Sequence, residues 1–286
     1  MIDGIRKTVT SGRYQLISWS LRLLWWLTGL LPTALIRKMV RVWYCVMLRD
    51  RAVGSGGTGP VIFIAMPKSA SKTIVRRLAA MLNTGVILIA NKRGGQVWPL
   101  NSELDINRFL YALFSKNILH EHCRADNRTL RQFRRVTDHI IVHVRDPRQT
   151  LISMAHHFID SGESLERFGI DPQRINDGDW EGTLDYLIDT VFPALVQYID
   201  EWYRFSKTGD MKVVFLTYEN FKSESTEYFS ALRDSLGISY THAMPEINVH
   251  LRLGEVAEWK RVLTENQQHR INSALPIELT EAFGWT

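Results

Sequence analysis

Apolar residues recur along this chain with two different periods. Near-continuous apolar runs rich in β-branched residues, at 61–65 (VIFIA), 86–90, 117–120, 139–144 (HIIVHV) and 212–216, read as strands buried on both faces. Between them the spacing becomes helical: Ile74, Leu78, Met81 and Leu82 mark a helix that reaches about Asn83. Further helices are predicted over 103–114, from a cap at Asp126 or Asn127 to Arg135, over 148–158, as one long helix over 183–207, over 225–236 closed by Gly237, and after Thr264. The stretch 159–179, rich in Gly and Asp, reads as a loop near an acceptor site, and 91–95 (NKRGG) as a polar turn. Strand and helix in alternation imply right-handed crossovers and a parallel sheet covered on both sides. The expected fold is therefore a three-layer α/β/α domain with a central parallel sheet.

The first sixty residues follow another pattern. Residues 14–36 (YQLISWSLRLLWWLTGLLPTALI) are strongly apolar and rich in tryptophan, and a second apolar stretch, 39–48, follows a basic cluster. The first stretch is just long enough to span a bilayer, but Arg22 falls near its middle, Pro32 interrupts it, and positive charge flanks both ends. We read the segment as two helices that lie in a membrane interface or pack on the domain. Trp19, Trp25, Trp26 and Trp43 are then interfacial anchors, and an ordinary buried helical pair is the alternative. No small-residue cleavage site follows the apolar run, which argues against a signal peptide. The Gly/Ser-rich segment 53–60 is a natural linker. The expected organisation is a helical, membrane-associating segment at 1–53, a linker at 54–60 and a catalytic-type domain at 61–286.

Composition adds little beyond this. The 286 residues are 45% hydrophobic, enough for one large core plus an appendage. The net charge of +5 and a pI near 9.2 suit an anionic cofactor or an anionic membrane surface, and no nucleic-acid-binding motif accompanies them. Two cysteines, Cys45 and Cys123, do not make a disulfide framework and point to a reducing compartment. The expected location is cytoplasmic, or peripheral at the cytoplasmic face of the membrane.

Candidate chemistry begins where the first strand feeds a helix through Lys68, Ser69, Ala70, Ser71, Lys72 and Thr73. A Lys- and hydroxyl-rich turn at a helix N-terminus is suited to phosphate, because free N–H groups and the positive end of the helix dipole face the anion. The loop is not a Walker A motif: Lys72-Thr73 stand where its K-[ST] would, but Met66 and Ser71 occupy the glycine positions. A second candidate group follows the strand at 139–144. There Arg145 and Ser153 lie eight residues apart, at a strand end and on the next helix. Ligands in open α/β sheets bind beyond the carboxyl ends of strands, which places Arg145 beside the loop. Alone, such an arginine could equally cap a helix or pair with an acid.

Together these stretches resemble the sulfotransferase family. Pro67-Lys68-Ser69-Ala70-Ser71-Lys72 resembles its P-K-S-G-T-T loop for the 5′-phosphosulfate, with Ala70 in place of glycine and Lys72 in place of the second threonine. Arg145 and Ser153 match the arginine and serine that hold a 3′-phosphate, a role suited to a two-pronged guanidinium and a directional hydroxyl. Thr217-Tyr218-Glu219-Asn220-Phe221 resembles the family's Y-E-D-L segment, whose tyrosine lies near the adenine. Arg252-x-Gly254 with Trp259-Lys260 resembles the R-K-G and W-K segment, with Leu253 in place of the lysine. The resemblance runs from Val61 to the C-terminus. It implies a P-loop nucleotide-kinase-like fold and 3′-phosphoadenosine 5′-phosphosulfate (PAPS, product PAP) as cofactor. It implies no metal, and a small-molecule, lipid or glycan acceptor with a hydroxyl or amine.

Sulfuryl transfer needs a base for the acceptor and positive charge on the leaving phosphate. Lys68 is the candidate for the second role. For the base, the family uses a histidine at the end of the strand before the arginine motif, and this chain offers His120 and His122. His122 lies 23 residues before Arg145, near the family's spacing. His120 is expected to face the opposite side of the strand, so the two would not share the role; Glu121 is a third option. His139, His143, His156 and His157 are read as structural. Two competing functions stay open from sequence. One is a P-loop kinase or NTPase, suggested by Lys72-Thr73 and by Asp146 after an apolar strand. The other is a membrane-bound nucleotide-binding module without catalysis.

Overall fold

The structure, a computed structural model, describes residues 60–89, 104–114, 117–161, 165, 169–237 and 255–285, with helical segments among 23–40. Among these residues five parallel strands form one sheet in the order β2-β3-β1-β4-β5. The strands are β1 Ile62–Ala65, β2 Val86–Leu88, β3 Ile118–Glu121, β4 His139–Val144 and β5 Lys212–Thr217. The helices between them are α1 Ser71–Met81, α2 Ile106–Phe114, α3 Asn127–Val136 and α4 Pro147–Ser161, followed by α5 Trp180–Thr190 and α6 Phe192–Ser206. After β5 come α7 Tyr218–Ser223, α8 Ser225–Leu236, α9 Trp259–Val262, α10 Glu265–Ala274 and α11 Ile277–Phe283.

The period-two alternation of β1 sorts the core into two layers. Phe63 and Ala65 face one side, packed with Ile74, Leu78, Tyr228 and Leu232 from α1 and α8. Ile62 and Ile64 face the other, where Phe109, Phe133, Leu151 and Trp202 from α2, α3, α4 and α6 cover the sheet. This is the expected three-layer α/β/α arrangement. Capping agrees with composition: Asp126 accepts from the N–H groups of Arg128 and Thr129, and Gly237 ends α8 at φ +59°.

Two local expectations change. The long helix expected over 183–207 is two helices, broken at Val191. Pro193 lacks an N–H and its ring collides with the carbonyl four residues back, so it starts α6 rather than continuing α5. The region 159–179 is not only loop: Pro172–Arg174 and Asp177–Asp179 form 3-10 turns.

Trp25 is not an interfacial anchor. It is buried in the main core with Ile36 and Val40, its ring edge-on to Phe109 at 6.0 Å and 3.9 Å beneath the Arg135 guanidinium. Its indole Nε1 donates to Gln132, and Arg135 donates back to its carbonyl. The N-terminal helical segment therefore packs on the domain through this side chain, while Trp26 is exposed. Trp19, Trp43, the turn at 91–95 and most of the linker lie outside the described residues. Among the described residues no helix is long and apolar enough to cross a membrane.

A Trp25→Ala variant removes a large buried ring and its hydrogen bond to Gln132, so it should lower the unfolding free energy by roughly 3 kcal/mol in urea denaturation. An unchanged midpoint would make the segment a loosely held appendage.

Candidate active site

The carboxyl ends of four neighbouring strands supply the site. His122 follows β3, the loop 66–70 follows β1, Arg145 follows β4 and Tyr218 follows β5. In an open parallel sheet this edge is where crossovers diverge and ligands enter.

The loop is held in an unusual backbone shape. Lys68 and Ala70 both adopt the left-handed region, with φ of +59° and +61°. Each costs about 1 kcal/mol for a residue with a Cβ, and at Ala70 a glycine would be free of it. Buried hydrogen bonds hold the loop there. The Ser69 hydroxyl donates to the Met66 carbonyl at 2.6 Å, and the Met66 N–H donates to the His143 carbonyl at 2.8 Å. The His143 ring completes the support. Its Nε2 lies 2.8 Å from the Ser69 carbonyl and must donate to it, so Nδ1 accepts from the Tyr228 hydroxyl at 2.9 Å. The loop then turns into α1, whose first turn has neither a side-chain cap nor an acid. Its leading N–H groups and dipole are thus available to an anion.

Arg145 lies against this loop. Its Nη1 donates to the Lys68 carbonyl at 2.7 Å and its Nη2 to the Glu255 carbonyl at 3.1 Å, while the guanidinium sits 4.0 Å over the Tyr218 ring. Its Nε is buried without a hydrogen-bond partner. Burial lowers its pKa from the usual arginine value, opposed by Tyr218, Glu219, Asp146 and Glu258 nearby, and a guanidinium remains charged throughout the working pH range. Two of its five N–H donors are used, so the buried group still has capacity toward an anion.

The histidines divide by burial rather than by face. Residues two apart on a strand share a side, so the expectation that His120 faces away from His122 is wrong: their rings meet edge-to-face at 5.5 Å. His120 is fully buried, its Nδ1 3.0 Å from the Phe63 carbonyl, and burial holds its pKa down to about 3. His122 is only half-buried. Its Nδ1 lies 2.5 Å from the Ala65 carbonyl, which makes Nδ1 the protonated nitrogen and leaves the Nε2 lone pair as the basic one. Desolvation lowers its pKa, Glu121 opposes this, and the charge of Lys72 on α1 lowers it further. Glu121 is itself buried and accepts from the His122 N–H at 3.0 Å, a supporting position rather than a solvent-facing base.

Asp146, the acid that suggested a kinase, is committed elsewhere. Both its oxygens accept from Arg148, whose guanidinium also donates to Asn272 and the Trp285 carbonyl and lies 4.1 Å over the Trp259 ring. Trp259 is buried packing.

The sulfotransferase domain family matches residues 107–251, just over half of the chain. The chain belongs to the sulfotransferase family. The match contains His122, Arg145, Ser153 and Tyr218 and begins after the phosphate loop. No curated protein matches the chain. Among solved structures, mouse sulfotransferase SULT7A1 complexed with PAP is 17% identical, covers 82% of this chain and 89% of its own, and superposes with a TM-score of 0.53, which places the two in one fold. The sulfotransferase domain from the curacin biosynthetic pathway, 14% identical over 76% of this chain and 99% of its own, superposes more loosely, at 0.42.

In this sulfotransferase the structure brings Lys68, Ser69, Ala70, Ser71, Lys72 and Thr73 together with His122, Arg145 and Tyr218 at one sheet edge. Ser153 is half-buried on the α4 face shared with Gln149 and Thr150, and the Thr150 hydroxyl lies 3.9 Å from the Met66 sulfur. Arg252 and Gly254 lie outside the described residues, although the next residue, Glu255, meets Arg145. Sequence reasoning missed Tyr228, Gln149 and Glu258. Gln149 is one helical turn before Ser153 and bridges the Glu258 carboxylate and the Trp259 N–H. Its helical phase with Ser153 was a usable signal, whereas nothing local marks Tyr228.

His120 and His143, the latter held near a pKa of about 4 by burial, are neutral in the fold and take up protons only on unfolding. Their contribution is complete above the ordinary histidine pKa and is lost as pH falls through 6 toward 4. Between pH 7.5 and 5, denaturant unfolding should weaken by about 2 kcal/mol per histidine. His143→Gln should lose about half of that difference, and an unaltered pH dependence would contradict the buried, neutral assignment.

Proposed function

We propose that this protein transfers a sulfuryl group from 3′-phosphoadenosine 5′-phosphosulfate to a hydroxyl or amine acceptor, leaving PAP. The observation that carries the reading is Arg145: a buried guanidinium with an unpartnered Nε, pinned between the phosphate loop and the Tyr218 ring. A buried cation with donors left over, beside an uncapped helix start, suits a nucleotide carrying phosphates at two positions. PAP in the mouse relative points the same way. Lys68, the N–H groups at 69–72 and the hydroxyls of Ser71 and Thr73 would hold the 5′ side. Arg145 and Ser153 would hold the 3′-phosphate, with Arg252 and Gly254 closing the site, and Tyr218 would border the base.

The donor supplies the activated sulfuryl group. The residues supply position, charge and a proton acceptor. Lys68, on the loop, places an ammonium where negative charge grows on the departing phosphate. His122 Nε2 receives the acceptor's proton, since Nδ1 is occupied by the Ala65 carbonyl. Desolvation keeps that imidazole in its neutral, proton-accepting form, and the nearby charge of Lys72 adds to the effect. The acceptor is a small molecule, a glycan or a lipid, and a lipid or membrane-linked glycan becomes the natural choice if the protein works at a bilayer surface.

Calorimetric titration without magnesium tests the donor site. Wild type should bind PAP in preference to ATP, and Arg145→Ala should lose roughly a hundredfold in PAP affinity, as expected for two charge-assisted contacts. Preference for ATP that needs magnesium and ignores Arg145 would replace this reading with phosphoryl transfer. His122→Ala should keep PAP affinity and lose about 10²–10⁴ in turnover of labelled donor with an accepted alcohol or amine. Undiminished turnover would move the base elsewhere.

A further inference from the structure

The N-terminal helical segments present an apolar face that the core does not use. Either side of Pro32, Trp25, Ile36 and Val40 turn into the domain, while Leu23, Trp26, Leu30, Leu31, Leu35 and Met39 turn outward. Trp26 is 69% exposed and Leu30 77%, values that single surface leucines reach but that are unusual for a cluster of six large apolar residues in eighteen. The inner face is fully engaged through Trp25, so the outer one is not core that has failed to pack.

We infer that this face docks the protein on an anionic lipid bilayer, with the helices lying in the plane of the headgroups. Three observations select a bilayer. Trp25, Ile36 and Val40 hold one face of the segment against the domain, so in-plane insertion of the opposite face is the geometry open to it. A tryptophan stands among aliphatics, a composition suited to the boundary between headgroups and chains. Positive charge accompanies the face: Lys38 is exposed beside Met39, and Arg22, Arg37 and Arg41 adjoin the same segments in sequence, with no acid between residues 14 and 49. A second copy of this chain on the same face would bring these cations against one another, whereas anionic lipid neutralises them.

The test is flotation of the full chain with vesicles of neutral phosphatidylcholine, alone or mixed with anionic phosphatidylglycerol. Wild type should float with the anionic vesicles and be released in part by about 0.5 M salt. A Trp26→Asp, Leu30→Asp double variant, with an unchanged thermal melt because both side chains are exposed, should bind at least roughly tenfold more weakly. Equal binding to neutral vesicles would overturn the anionic assignment. A wild type that stays in solution would overturn the proposal. If it also sediments as a dimer that the double variant dissolves, the face belongs to a second copy.

Discussion

The buried imidazole of His143 is the constraint on which the phosphate loop depends. Two residues of that loop carry side chains in a backbone region that disfavours them, and neither is a glycine. The shape persists because one neutral ring reaches from the neighbouring strand β4 to the Ser69 carbonyl and is itself held by Tyr228 from α8. Strand, loop and outer helix are thereby tied into one unit. The anion-facing N–H groups keep their direction before any ligand arrives, which reduces the ordering that binding requires.

The charges of the site are layered rather than paired one to one. Arg145 is surrounded by Asp146, Glu219 and Glu258, yet each of these acids also serves another partner: Arg148, the Asp146 N–H and Gln149 respectively. The arrangement keeps a buried cation tolerable without neutralising it through direct contact. On the other side of the loop, burial favours the His122 imidazole that can accept a proton, with Lys72 adding to that effect and Glu121 opposing it.

Much of this was legible from sequence where local chemistry decides. The strands at 62–65 and 139–144, the Asp126 cap and the Gly237 stop follow from residue type and spacing. So did the convergence of the loop with Arg145, because both follow strands of a parallel sheet. What failed has physical reasons as well. His120 on β3 and His122 just after it were assigned opposite faces although a two-residue step returns to the same one, and only their unequal burial separates them. Trp25 reads like its neighbour Trp26 in any window of sequence, and a tertiary partner, Gln132, distinguishes them. Tyr228 lies far along the chain from the ring it holds, and no pattern announces such a pair.

The ion pair of Arg148 and Asp146 has a bearing on how the protein is made. It is buried at the end of β4, and Arg148 finds its remaining partners in Asn272 and the carbonyl of Trp285. During synthesis the strands, the phosphate loop and Arg145 all leave the ribosome well before residue 285 does. Until then the guanidinium of Arg148 stays short of acceptors in a site that would otherwise be dry, and water must remain there. The sheet can assemble as the chain emerges, but this end of β4 gains its last acceptors only once residue 285 has left the ribosome.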